Sequence, residues 1–319
     1  MSELPAGTPN TSFSQILPGL QLGVDSTSLG AFKTCPRYYQ LSIVEGWQPR
    51  DQSVHLTFGI HLHKARESYE RAKAEGQGHD DALDLVLDEA LRGTWDRGLK
   101  RPWISDHKLK NRDTLLRTIV WYLDQFGQND PFETVILSNG KPAVELSFKF
   151  DSGYKSEATG ESFVLCGHLD RLAKYGDNYY IPDIKTTGST MNGFFFDGFS
   201  PDNQFSLYTF ASKVVFNFDV RSLVVDGIQI AVGFSRCERG LVQRPPAVIA
   251  EWYQELGHWL AQMELCAERE HWPMNDKACG NYGGCRFRKV CSKPPGQRKA
   301  HLESEFTKRV WDPFVSREA

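Results

Sequence analysis

The residues best suited to chemistry are two acids and a lysine on neighbouring segments: Asp170 in GHLD (167–170) and, further on, Asp183 and Lys185 in DIK (183–185). Side chains alternate across a strand, so Asp183 and Lys185 point one way and Ile184 the other. Gly176-Asp177-Asn178 between the segments is a hairpin signal, and an antiparallel hairpin turned there brings Asp170 opposite the Asp183–Lys185 end. Two carboxylates and one ammonium then converge. Such a grouping suits a hard divalent cation such as Mg²⁺, which is commonly held by one or two carboxylates plus substrate phosphate. The cation acidifies a bound water and a nearby lysine offsets charge developing on phosphorus, which together is metal-assisted phosphodiester hydrolysis. Taken alone, Asp-x-Lys on a strand is more often a solvated face.

A second constellation is CGNYGGCRFRKVC (279–291), where Cys279, Cys285 and Cys291 recur six positions apart. The chain has seven cysteines, an odd count, and its N-terminus has no basic region followed by an apolar core. An intracellular protein with thiolates that are buried or metal-bound is therefore expected, rather than a disulfide framework. Cys166, in an apolar strand run, Cys266, at the end of a helical face, and Cys237 read as structural thiols.

These residues need elements to position them. A short helix is expected from about Ser26 to before Pro36, a second from His61 to about Gly76 following Gly59, a third from about Asp80 to Gly98, and a fourth from about Asp113 to Phe126. The period then changes from 3.6 to 2. Val144, Leu146, Phe148 and Phe150 alternate with polar residues as a half-buried strand, and FVLCGHLDRLAKY and NYYIPDIKTT follow as two more. A helix opening at Ser200-Pro201 with Ser200 as cap, a long strand over 222–236 and a helix from about Pro246 to Ala267 complete the core. The fold class expected is α/β, with helical N- and C-terminal parts. Residues 1–25, rich in Pro, Gly, Ser and Thr, read as a flexible lead-in, and 296–319 as a C-terminal tail.

At 319 residues, with 40% hydrophobic and 24% charged residues, the chain can build a substantial core, and no apolar run approaches a membrane span. A net charge of −3 gives no global pull toward nucleic acid. Local basic clusters nonetheless occur at 97–101, 108–112 and 286–289, and phosphate contacts are local.

The order GIHLH (59–63), GHLD (167–170), DIK (183–185) and QFSLY (204–208) resembles the PD-(D/E)xK nuclease superfamily, specifically its RecB-like branch, which includes CRISPR-associated iron-sulfur exonucleases. The resemblance implies a restriction-endonuclease-like core, a mixed central sheet flanked by helices, within a nuclease domain over 26–295. That domain would include a helical insertion (about 61–130) and a cysteine region (about 270–295). By resemblance Asp170, Asp183 and Lys185 are catalytic, and His63, Asp170, Asp183 and Ile184 hold Mg²⁺ or Mn²⁺. His61 is a minor alternative to His63, and Glu145 is a weaker acid candidate. Gln204 and Tyr208, four apart on one helical face, orient the lysine or contact DNA. The same resemblance implies Cys35, Cys279, Cys285 and Cys291 as ligands of a 4Fe-4S cluster that ties the chain ends together, with Zn²⁺ as the alternative. The C-x5-C-x5-C spacing departs from the C-x2-C-x5-C of many relatives, but the glycines in the first loop allow the turns required.

The activity implied is DNA hydrolysis on single strands or ends, as in recombination, repair, phage DNA processing or CRISPR adaptation. A helicase, a recombinase or a CRISPR adaptation component would be the partner, and no membrane is involved. The alternative is a non-catalytic DNA-binding scaffold subunit of a larger complex.

Overall fold

The computed structural model describes residues 11–50 and 53–315, the Tyr282 side chain excepted. Residues 1–10 of the expected lead-in and 316–319 of the expected tail lie outside the described residues. Contacts divide the chain into two compact units. One is formed by 11–50, 147–167 and 246–315, the other by 53–146 and 168–245. No helix among the described residues is long and apolar enough to cross a membrane.

The second unit carries the acid–lysine residues. Its sheet has the strand order Ser235–Val242, Val220–Ile230, Asn178–Thr187, Ala173–Tyr175, Glu133–Thr134. Val220–Ile230 runs parallel to Asn178–Thr187, and the pairs at either side are antiparallel, so the sheet is mixed. Ile184, Ile228 and Ile230 share one face, because Ile184 is in register with Asp226 and 226, 228 and 230 alternate alike. That face packs on the helices Val54–Ala74, His79–Gly93 and Arg112–Phe126 through Phe58, Leu62, Val86, Leu115 and Ile119. Their apolar stripes at helical spacing are what let three helices share one core. Asp183 and Lys185 lie on the opposite face.

Several boundaries differ from expectation for local reasons. The His63 helix begins at Val54 and runs through Gly59, where an added Cβ would meet nothing within 4 Å. The stretch 222–236 is not one strand: it breaks after Ile230, and Ser235–Val242 folds back antiparallel. The helix after the DIK strand is capped by Asp202, which accepts from the Phe205 N–H, and spans Asn203–Val214, so Ser200 is not its cap. A short helix, Gly193–Asp197, precedes it.

In the first unit Gly23–Val24 pairs in parallel with Ser162–Arg171, which also neighbours Val144–Lys155. Residues read as lead-in are built in, since Leu20, Leu22 and Val24 are fully buried. The tail likewise forms a helix, Pro295–Glu305, and a strand, Phe306–Lys308, that pairs with Trp47–Pro49.

Candidate functional site

The hairpin turns at Gly176, which takes a positive φ of 57°, and pairs Ala173 with Tyr180 and Tyr175 with Asn178. Continuing that register places Asp170 opposite Asp183. His63 reaches the same spot from the Val54–Ala74 helix, and one ligand atom from each of His63, Asp170 and Asp183 lies within 4.8 Å of the others. His63 Nδ1 is 3.1 Å from Asp170 Oδ2. Lys185 Nζ is 2.7 Å from Asp183 Oδ2 and donates to Gln204 Oε1 at 2.9 Å, while Gln204 Nε2 donates to Tyr208 Oη at 2.8 Å. The four-residue spacing of Gln204 and Tyr208 thus produces a relay that fixes where the ammonium sits.

Asp183 is only 1% exposed. Both of its carboxylate oxygens, and Oδ2 of Asp170, are buried, and what meets them are charged groups of the same cluster: the Lys185 ammonium at Asp183 Oδ2 and the His63 ring at Asp170 Oδ2. Two buried carboxylates this close, with one ammonium and one imidazole against them, keep acceptor capacity that a further cation could satisfy. Burial pushes the Asp183 carboxyl up to about 7, with the Asp170 charge adding to the rise against the pull of Lys185. Burial lowers the His63 imidazole, but the Asp170 carboxylate more than reverses this and pushes it up to about 9. Burial opposes ionisation of Asp170 as well, and His63 outweighs it, holding that carboxyl well below its usual range. Lys185, disfavoured by burial but attracted by Asp183, sits above its ordinary value. Two acids, an imidazole and an ammonium thus share one buried point, each shifted from its ordinary value by burial and by the others.

Two carboxylates and an imidazole nitrogen fit a divalent cation of the Mg²⁺ or Mn²⁺ kind. The Ile184 side chain is in the core, 7% exposed, which leaves its backbone carbonyl as the atom it could offer. His61 does not join the site: its ring lies against Gly93 of the neighbouring helix, 3.2 Å from where a Cβ would be. Glu145 is not solvated. It is 5% exposed, takes a φ of 50°, and lines a small cavity with His63, Arg66, Asp170, Arg171 and Ile184.

Sequence reasoning missed the buried ion network beside this cavity. Asp130 is approached by Arg66 at 3.1 Å, Arg171 at 3.1 Å and Arg239 at 2.6 Å. Arg239 also meets Asp226 at 2.6 Å, and Tyr122 donates to Asp226 Oδ2 at 2.7 Å. Buried charges persist only when paired and hydrogen-bonded, and here the network locks Arg171, next to Asp170, in place. No local pattern announces it. The arginines and acids involved are scattered singly over separate segments, so the sequence carries no signal for it.

The four cysteines singled out above all belong to the first unit, although among the described residues only His63, Asp170 and Asp183 form a group of three ligand atoms within 4.8 Å of one another. The Asn275 N–H donates to Cys35 Sγ at 3.3 Å, Asn275 Nδ2 to Thr34 O at 2.9 Å, and the Arg37 N–H to Pro273 O at 3.1 Å, tying the two chain regions together. The Cys285 N–H donates to Cys279 O at 3.0 Å, and Gly283 and Gly284 take φ of 84° and 115°, the turns expected of that loop. Burial raises the Cys285 and Cys291 thiols. Cys35 and Cys279 add to the rise at Cys285, and Cys285 and Cys35 add to it at Cys291. All four thiols are free of disulfides, and Cys285 and Cys291 pack on Leu41, Trp47, Phe287, Val290, Leu302 and Phe306.

A mixed sheet with helices on both faces, and an acid pair beside a lysine on the second strand of a hairpin, define a nuclease core. The chain belongs to the PD-(D/E)XK nuclease superfamily, whose profile matches residues 26–292. A solved structure described as a "Putative exonuclease" from Eubacterium rectale shares the fold. It matches at 11% identity with a TM-score of 0.51, covering 86% of this chain and 90% of that one. The structure of SSO0001 is similar over 85% of this chain and 87% of that one, at 12% identity and a TM-score of 0.33. No curated protein matches the chain in sequence.

Proposed function

We propose that the protein is a divalent-cation-dependent deoxyribonuclease acting on single strands or strand ends, with exonucleolytic action in recombination, repair, phage DNA processing or CRISPR adaptation. The observation that carries this reading is the convergence of His63, Asp170 and Asp183 within 4.8 Å, with the buried Asp183 carboxylate paired to Lys185 at 2.7 Å. Bound Mg²⁺ or Mn²⁺ would supply Lewis acidity at the phosphate and a water of lowered pKa. In this reading His63, Asp170, Asp183 and the Ile184 carbonyl hold the cation. Lys185, aimed by Gln204 and backed by Tyr208, orients the attacking water and offsets charge on the phosphate. With Mn²⁺ the purified protein should degrade labelled single-stranded DNA, and Lys185→Ala should remove that activity while leaving the circular dichroism spectrum unchanged. Undiminished cleavage by the variant sinks the assignment, and binding without any cation-dependent cleavage by the parent would favour a scaffold subunit instead.

The proposal extends to a 4Fe-4S cluster on Cys35, Cys279, Cys285 and Cys291, with Zn²⁺ as the alternative. The nearness of Cys35 and Cys279 to Cys285 and of Cys35 and Cys285 to Cys291, with the hydrogen bonds from Asn275 and Arg37, supports it. Anaerobically purified protein should be brown, absorb near about 400 nm, and lose both colour and thermal stability in Cys291→Ser. A colourless preparation with stoichiometric zinc would assign the site to zinc, and one with neither metal would reject both.

A further inference from the structure

The short helix Gly193–Asp197 carries three consecutive phenylalanines, and only two of them are used to hold it down. An added Cβ at Gly227 would lie 2.9 Å from the Phe195 ring and 3.2 Å from the Phe196 ring, and one at Gly240 would overlap Phe196. Those two glycines therefore make room for the aromatic pair. Their position in the ladder fixes which face the helix covers. Gly227 is in register with Lys185, while Gly240 is in register with Val225 and Val225 with Asp183. Residues in register share a face, so the helix rests on the face that carries Asp183 and Lys185. Neighbouring strands are roughly 4.8 Å apart, which puts Gly227 one strand spacing from the lysine.

A chain of ring contacts makes the same connection. Phe195 meets Phe196 at 5.0 Å and Phe199 at 5.3 Å, Phe199 meets Phe205 at 5.7 Å, and Lys185 Nζ lies 5.7 Å from the Phe205 ring centroid. Arg244, itself 7% exposed, donates to Phe199 O at 2.7 Å and Ser200 Oγ at 3.2 Å, fixing the segment that follows. Against this anchored background Phe194 is 86% exposed, and no large hydrophobic among the described residues is more so. A lone exposed apolar residue is ordinary. One carried by a short helix that rests on the face bearing Asp183 and Lys185 has the free aromatic surface that base stacking requires.

We propose that Phe194 is a stacking platform for an unpaired nucleobase of the strand being cut. The substrate class is then a single strand or a frayed end, because bases inside a duplex already stack on one another and present no free face. This rests on the nuclease reading and narrows it.

The test measures binding on a Lys185→Ala background, where turnover is removed, using an oligothymidylate and an oligonucleotide carrying 2-aminopurine near its end. Adding Phe194→Ala should weaken single-strand affinity roughly tenfold and relieve the stacking quench of 2-aminopurine. Blunt duplex affinity should change less than about twofold, being set by phosphate contacts. Phe194→Trp should keep both signals and Phe194→Leu should lose both. A Phe194→Ala protein that binds and quenches like its background overturns the inference. So does a Phe194→Leu protein that does so, because an apolar side chain without a ring would then be enough and stacking would not be the interaction. In either case, cleavage of single strands by the parent leaves the nuclease reading standing. A parent that neither binds nor cleaves DNA overturns both.

Discussion

Asp183→Asn is expected to lower Mn²⁺-dependent cleavage on the order of 10³-fold and yet to make the metal-free protein more stable at pH 8. The loss follows from removing one of the two carboxylates that would hold the cation, an interaction worth several kcal/mol of charge stabilisation at the transition state. The gain follows from the electrostatics of the buried site. Asp183 is 1% exposed and its carboxyl is pushed up to about 7 by burial and by the neighbouring Asp170, with Lys185 only partly compensating. Above that value the fold holds a charge it disfavours. A neutral amide of the same shape removes the penalty, which by the free-energy equivalent of such a shift is on the order of 4 kcal/mol, or roughly 6 °C in Tm for a chain of this length. At pH 5.5, midway between the unfolded value of 3.8 and the folded value of about 7, the advantage should be roughly half as large. Thermal unfolding of both proteins at the two pH values decides the matter. A variant less stable than the parent at pH 8 would mean that the Lys185 ion pair outweighs the cost of burial. The arrangement is a trade of stability for function of the kind expected where a site must be kept ready for a cation.

Cation affinity should rise steeply with pH, because binding must displace protons from two ligands. Asp183 gives up its proton only above about 7, and His63, pushed up to about 9, must be neutral to ligate. Titration calorimetry with Mn²⁺ should find affinity rising roughly tenfold per pH unit for each proton displaced, so most steeply below pH 7 and still clearly between 7 and 9. Stability of the metal-free protein should move the other way. His63, raised from 6.5, contributes stability that is complete below its unfolded value and is lost as pH climbs through about 9. Asp183, an acid whose folded value is also raised, favours folding while protonated, and that contribution is lost between its unfolded 3.8 and about 7. Asp170 has the opposite sign, but its contribution disappears only in acid. Metal-free Tm should therefore fall from pH 6 to pH 9, and saturating Mn²⁺ should flatten or reverse the slope. A pH-independent Mn²⁺ affinity would remove His63 and Asp183 from the ligand set.

Much of the site was legible because it is built from short-range geometry. The alternation of a strand is enough to put Asp183 and Lys185 on one face, a glycine turn is enough to bring Asp170 back, and a spacing of four is enough to place Gln204 beside Tyr208. The cysteine loop followed the same logic, with Gly283 and Gly284 taking the positive φ values that its glycines allow. What failed locally did so where packing overrides propensity. Gly59 reads as a helix boundary, yet it lies inside a helix held by the core around Phe58 and Leu62. The residues 222–236 read as one strand, yet the chain reverses after Ile230 so that Ser235–Val242 can pair with Val220–Ile230.

The sequence by itself thus determined the chemical groups and which of them share a face, since covalent geometry sets periods of 2 and 3.6 regardless of what lies elsewhere. Tertiary structure alone decided their electrical state and their surroundings. It chose His63 over His61, buried Glu145 and Asp183, and drew Asp130 to arginines more than 40 residues away in either direction. It also left Phe194 in solvent beside two phenylalanines that are half-buried. Burial and pairing depend on which distant segments come to lie against a residue, and no spacing within one segment records that.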